Sequence, residues 1–265
     1  MRDDESAILS QRPGHLIELA ANVDADVVVA VGGDGTLNEI VNGLMQREDR
    51  PELAVLPRGT GMDFIRTYDI PRDADDALRV VRGDVTRTID VGRVEHSNGT
   101  RFFANVGSVG MSAAVAERAN GMSKALGGKA TFFYALTRTF LAWQNTPVVV
   151  RLDDGVLREG RMHDVIVANG QWHGGAMWLA PEAQPDDGIF DVVLIGDVNK
   201  RDFVTTAPKI YKGTYLEHPK VELLRSRTVA VDAPERLPIE LDGEQVGTTP
   251  VRFEVVQHAL RLRVP

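Results

Sequence analysis

Cysteine is absent from all 265 residues. That excludes a disulfide framework and any thiolate metal site, and it suits a reducing cytoplasm. Long apolar runs are also missing, with none near the ~18 residues a membrane span needs. The opening "MRDDESAILSQ" is acidic and polar, unlike a secretory leader. Basic residues are outnumbered, 30 against 38 acids for a net charge of −8, which argues against broad nucleic-acid binding. The six histidines show no HExxH or paired spacing, so solvated or hydrogen-bonded roles fit them better than metal ligation. Hydrophobic residues at 43% remain ordinary for a globular chain able to bury a core.

Helical and extended patterns alternate through the first ninety residues. "VVVAV" at 27–31 is a short β-branched run of the kind found in strands covered on both faces. A glycine turn follows, and Leu37, Ile40, Val41 and Leu44 then repeat at i, i+3, i+4 and i+7, the stripe of an amphipathic helix. "LAVLP" at 53–57 reads as a second buried strand, and "DADDALRVVRGD" at 73–84 as a helix with an aspartate-rich start and a glycine stop. Strands alternating with helices imply a parallel α/β sheet. After about Asp90 the texture becomes short strands between Gly, Asn and Asp turns, with a helical interruption over about 111–143. That pattern predicts an antiparallel sandwich or barrel. The predicted architecture is therefore an N-terminal three-layer α/β nucleotide-binding domain, residues 1–91, and a C-terminal β-sandwich domain, residues 92–265.

The segment "DVVVAVGGDGTLNEIVNGL", 26–44, poses a chemical question. A glycine turn at a helix N-terminus offers N–H groups and the positive dipole end to an anion, yet Asp34 stands in it. No P-loop lysine follows. Beside a phosphate Asp34 would be repelled unless Mg²⁺ bridges them or a hydroxyl nucleophile lies between, and both cases point to phosphoryl transfer. Alternatively, Gly32–Gly35 is only a tight turn with Asp34 capping the helix. A second turn, "LPRGTGMDFIRTYDIP" at 56–71, places Asp63 four residues beyond Gly59. Neighbouring parallel strands end at one sheet edge, where open α/β folds bind ligands.

"GGDGTLNE", "PRGTGMDF", "IDVG" at 89–92, "APEAQPDDGIFDV" at 180–192 and "LDGE" at 241–244 together resemble the diacylglycerol kinase catalytic-domain family, bacterial lipid kinases kin to sphingosine and ceramide kinases. "GGDG" alone also occurs in NAD kinases and phosphofructokinases. The resemblance covers nearly the whole chain and implies ATP as phosphate donor and Mg²⁺ as cofactor. It implies that Gly32, Gly33, Asp34, Gly35, Thr36, Leu37, Asn38 and Glu39 line the ATP phosphates. Gly59 and Thr60 would reach the nucleotide, and Ser10 stands where a nucleotide-contacting threonine is usual. Asp34, Asp63 and Asp90 would form the carboxylate network around the catalytic Mg²⁺, with Glu244 as proton acceptor for the lipid hydroxyl. A second, structural Mg²⁺ would lie near Asp187, with Gln184 and Ile189 giving backbone oxygens. Read singly, Asp187 and Asp242 are turn aspartates before glycine and Asp90 a strand end.

Two departures stand out. Met62 replaces the family's usual asparagine, and a thioether cannot serve as an amide does. Family members usually open with a strand and an Asn-Pro-x-Ser-Gly-type loop before the segment matching "LSQRPGH". This chain begins about there, so a shortened start or fragment is the expectation. Membrane contact has three candidates. The helix in "SKALGGKATFFYALTRTFLAW", 123–143, carries Phe132, Phe133, Leu136, Phe140, Leu141 and Trp143, and packing on the sandwich is its other reading. "NGQWHGGAMW", 169–178, is either a flexible lip or core. The basic span 197–227 would meet anionic headgroups or form a solvated strand face. The reading is a cytoplasmic, membrane-peripheral lipid kinase, most simply converting diacylglycerol to phosphatidic acid. A homodimer is admitted but not specified. The alternatives are a kinase of a sphingoid base, phosphatidylglycerol or NAD, and a non-catalytic lipid- or nucleotide-binding protein.

Overall fold

The β-branched run and the leucine–alanine run behind it become two parallel strands, β1 (Val27–Gly32) and β2 (Glu52–Pro57), paired from Val27↔Glu52 to Gly32↔Pro57. Their shared end places the two glycine turns side by side. In this computed structural model, which describes residues 6–59, 61–122, 128–153 and 155–265, helix α1 (His15–Asn22) precedes β1 and α2 (Asp34–Leu44) follows it. Leu37, Ile40, Val41 and Leu44 of α2 are all buried, as the spacing requires. Short α3 (Phe64–Thr67) starts at Asp63, and α4 (Ala74–Arg82) is capped by Asp73, whose carboxylate accepts the N–H groups of Asp75 and Asp76.

The chain then turns antiparallel. Its elements are β3 (Thr86–His96), β4 (Gly99–Phe103), β5 (Val106–Gly110), α5 (Met111–Asn120), α6 (Gly128–Ala142), β6 (Thr146–Leu152), β7 (Leu157–Met162) and β8 (Asp164–Ala168). The two-residue strands β9 (Trp172–His173) and β10 (Met177–Trp178) pair with each other, and β11 (Phe190–Ile195) and α7 (Lys200–Ile210) follow. The last strands are β12 (Val221–Ser226), β13 (Thr228–Asp232), β14 (Pro238–Leu241), β15 (Glu244–Thr248) and β16 (Val251–Arg263). One sheet runs β1-β2-β16-β13-β6-β7, with β3 on β16 and β4 on β3, and the other runs β12-β11-β8-β5-β14-β15. Their inner faces share one core that includes Phe103, Phe190 and Phe253. An α/β unit joined to an antiparallel sandwich is the expected fold class.

The long strands β3 and β16 stitch the two halves together. The first part of β16 pairs with β13 and with 91–96 of β3, while Leu260–Arg263 pairs with 86–89 and reaches β2 at Leu53. A register shift between Val256 and Leu260 marks the crossing. Asp90, fully buried, satisfies it: its two oxygens accept the N–H groups of His258 and Gly188, each at 2.7 Å.

Two local readings change. The basic span is not simply a strand face, because Lys200–Ile210 forms a helix opened by a capping box between Asn199 and Asp202. The "NGQWHGGAMW" stretch, read as lip or core, takes the form of a small hairpin whose Trp172 and Trp178 rings stack at 5.0 Å.

Candidate active site

The site begins where β1 and β2 end. Gly33 and Gly59 meet backbone to backbone: a Cβ on Gly59 would fall 2.6 Å from the Cα of Gly33. Only glycines allow that approach. Gly33 caps α2 without any side-chain bond, so the first-turn N–H groups of Asp34, Gly35 and Thr36 are left to an incoming acceptor. Asp34 turns away from that end. Its oxygens accept the N–H groups of Met62 (2.7 Å) and Asp63 (3.1 Å), so the carboxylate orders the second glycine turn. Burial, then repulsion from Asp63, push its carboxyl above the usual range.

Asp63 repeats the device one loop further on. Its oxygens accept the N–H groups of Gly175 (2.7 Å) and Ala176 (2.8 Å), where three successive residues, Gly174 to Ala176, have positive φ and present a concave pair of donors. Arg66 lies 3.5 Å from Asp63 and stacks over Trp172.

The β14–β15 hairpin brings the other wall. Asp242 and Gly243 both have positive φ, the Asp-Gly turn its sequence announces. Asp242 accepts the N–H groups of Ala104, Asn105 and Val106 and the amide of Asn38, which ties the hairpin to the 104–106 segment and to α2. Burial raises its carboxyl, against the pull of those donors. The hairpin so anchored sets Glu244, exposed, above α2: a Cβ on Gly35 would lie 3.4 Å from the Glu244 carboxylate. An exposed carboxylate from the sandwich thus stands over the uncapped end of a helix from the α/β unit.

Two family models match the chain. Residues 4–94 match the diacylglycerol kinase catalytic domain, and residues 105–264 match the YegS C-terminal NAD kinase beta sandwich-like domain. The diacylglycerol kinase of Bacillus subtilis strain 168 is 30% identical over 95% of this chain and 82% of its own length. The chain belongs to the diacylglycerol kinase family. A second relative, the diacylglycerol kinase of Staphylococcus carnosus strain TM300, is 27% identical over 99% of this chain and 85% of its own. A solved structure from Bacillus anthracis strain Sterne, assigned as a diacylglycerol kinase, superimposes with a TM-score of 0.79 at 26% identity, covering 97% of this chain and 83% of that one. The protein is accordingly an enzyme, a lipid kinase by family.

Within this lipid kinase the expected residues divide by position. Gly32, Gly33, Asp34, Gly35, Thr36, Gly59, Asp63 and Glu244 come together around the α2 end. Leu37 is in the core, and Glu39 faces α1, where its oxygens accept the N–H groups of Gly14 (2.9 Å) and Leu16 (3.1 Å). Glu39 therefore holds the segment that carries Ser10, itself exposed. Thr60 and the Phe132 side chain lie outside the described residues. Met62 is buried with φ +53, so its N–H to Asp34 and its packing on the glycines are its contribution.

Asp34 and Asp63 are close enough to repel each other and are hard oxygen donors of the kind a divalent cation takes, but every oxygen of both already accepts a backbone N–H and Arg66 lies beside Asp63. Asp90 lies apart, clamped in the β3–β16 bulge. Asp187 accepts the Ile189 N–H and is paired with Arg225, which also holds Asp191 at 3.1 Å. Gln184 lies beside this pair. A cation at Asp187 would have to displace that guanidinium.

Sequence reading missed a buried pair behind the hairpin. Glu240, fully buried, accepts from Ser108 (2.7 Å) and lies 3.3 Å from His173. Burial disfavours the imidazolium, but Glu240 and then Asp63 and Asp242 outweigh it and raise His173 to about 9. The available signal was "IELDGE": Glu240 stands inside an otherwise apolar strand, and a buried carboxylate requires a partner.

Proposed function

We propose that this lipid kinase transfers the γ-phosphate of ATP to the hydroxyl of diacylglycerol, with Glu244 as proton acceptor. The observation that carries this reading is the Glu244 carboxylate facing the uncapped N-terminus of α2 across Gly35. The N–H groups of Asp34, Gly35 and Thr36 bind the donor phosphates, and the side-chain-free Gly33 and Gly59 let the protein backbone come close to the nucleotide. Asp34 and Asp63 would hold Mg²⁺, which when bound would offset the charge that builds on the transferred group. Glu244, solvent-facing and joined to its hairpin through Asp242, takes the proton from the acceptor hydroxyl. The lipid approaches from a membrane to which the enzyme binds peripherally; among the described residues no helix is long and apolar enough to cross one.

The test is transfer of labelled phosphate from Mg-ATP to diacylglycerol in mixed micelles. Labelled phosphatidic acid from this chain, absent with Glu244→Ala at unchanged thermal stability, supports the roles given. The likeness of the sandwich to NAD kinases favours NAD as the rival acceptor, so labelled NADP without labelled lipid would replace this reading.

A further inference from the structure

We propose that the paired outer faces of α6 and α7 form the surface on which this enzyme docks to an anionic lipid bilayer, an inference that rests on the lipid-kinase reading. Large apolar side chains stand in solvent there: Phe133 is 69% exposed, Tyr134 52% and Leu141 59% on α6, and Val204 61% and Tyr211 56% on and just after α7. Their spacing is helical. Phe133 and Leu141 are i, i+8, Tyr134 and Leu141 are i, i+7, and Val204 and Tyr211 are i, i+7, so each helix turns a single apolar stripe outward. The opposite sides are already used. Ala135 and Leu136 of α6 pack with Met111 and Val115 of α5, and the Phe140 and Phe203 rings stack at 4.5 Å, locking α6 to α7. Lys200 bonds the Leu141 carbonyl and lies over the Phe140 ring, fastening the same junction.

Charge selects the partner. In a chain of net charge −8, the stretches 128–142 and 200–212 hold a single acid, Asp202, and Lys220 takes it at 2.7 Å. Arg138, Arg201, Lys209 and Lys212 are exposed beside the apolar stripes and make no ion pair among the described residues. Apolar side chains ringed by unpaired cations suit a bilayer interface with anionic headgroups, where chains insert and lysines meet phosphates. A neutral apolar partner would leave these cations without counter-charge.

Position adds a reason. Thr139 of α6 accepts from Arg118 of α5 (3.0 Å), and Asn120 at the end of α5 donates to the Gly243 carbonyl (3.1 Å). The docking face is therefore one helix away from the hairpin that carries Glu244.

The experiment is co-sedimentation of the full chain with vesicles of phosphatidylcholine alone or with phosphatidylglycerol, read without any turnover. Tight binding is expected only with the anionic lipid. Leu141→Glu/Tyr211→Glu and, separately, Arg201→Glu/Lys209→Glu/Lys212→Glu should each weaken it by at least about tenfold. All five positions are exposed, so the fold should persist, as circular dichroism would verify. Turnover of a short-chain, water-soluble diacylglycerol should be unchanged in both variants, whereas turnover of vesicle-borne diacylglycerol should fall with binding. Equal binding by wild type and variants, or no preference for anionic vesicles, overturns the proposal. A dimer that both variants dissolve, with no vesicle binding by the wild type, overturns it in favour of a second copy as the occupant. Vesicle binding lost in the variants of a chain that phosphorylates no lipid would instead leave the docking face standing and remove the kinase assignment.

Discussion

Removing the Asp242 carboxylate should unseat the β14–β15 hairpin. Four donors converge on it: the backbone N–H groups of Ala104 (2.9 Å), Asn105 and Val106 (3.0 Å each), and the Asn38 amide (3.1 Å). Asp242→Ala strands three buried N–H groups, and each costs about 1–3 kcal/mol when it stays unpaired. The lower figure applies where water enters, so about 3 kcal/mol is a floor. Asp242 also sits at φ +50, a region alanine tolerates worse than aspartate, which adds about 1 kcal/mol. The sum, about 4 kcal/mol, is a large share of the 5–15 kcal/mol a domain has. At roughly 2–4 °C per kcal/mol for a chain this size, the melting temperature should drop by roughly 8–16 °C. Asp242→Asn keeps the turn conformation and one acceptor but points an amide donor at other donors, so its loss should be about half as large. Differential scanning calorimetry on both variants checks the ranking. Melting within about 2 °C of wild type for the alanine variant would show that these bonds do not hold the hairpin.

Gly59→Ala should cost both stability and nucleotide affinity, because its Cβ would fall 2.6 Å from the Gly33 Cα and neither turn can yield without moving the α2 end; ATP titration calorimetry on the folded variant reads the second effect. The Glu244→Ala variant should lose phosphate transfer, by about a hundredfold or more as is usual for an acid–base group, with an unchanged melting curve. For pH, His173 is raised in the folded state from 6.5 to about 9. A raised base stabilises fully below its unfolded value, so this contribution is complete below pH 6.5 and fades as pH climbs through 9, with a total of about 3 kcal/mol. Unfolding free energy measured from pH 6 to 10 should slope down in wild type, and His173→Gln should flatten that slope.

Much of this arrangement could be read directly from residue order. The β-branched run, the glycines and the i, i+3, i+4, i+7 apolar stripe specify strand, turn and helix over 27–44 because each is a local preference. Asp-Gly at 242–243 specifies its hairpin for the same reason. Helix α7 was also readable in principle, from Asn199 and Asp202 at capping-box spacing, but Pro208 and scattered lysines mask the periodicity. The joint pattern of five motifs pointed to the family that the comparisons bear out.

What residue order alone determined, then, is most of the elements, the two-part fold class and the two glycine turns that meet at the ends of β1 and β2. Tertiary structure alone decided what each carboxylate does. Asp34, Asp63, Asp90 and Asp242 are alike in sequence, each an aspartate at a turn or strand end, yet Asp90 clamps a bulge, Asp242 anchors a hairpin, and Asp34 and Asp63 each order the next loop. Their partners are donors from residues 28 to 204 positions away, and no local pattern encodes which distant donor will arrive. The His173–Glu240 pair and the doubled apolar face of α6 and α7 follow the same logic: burial and juxtaposition belong to the packed chain, since they exist only once separate elements have been brought into contact.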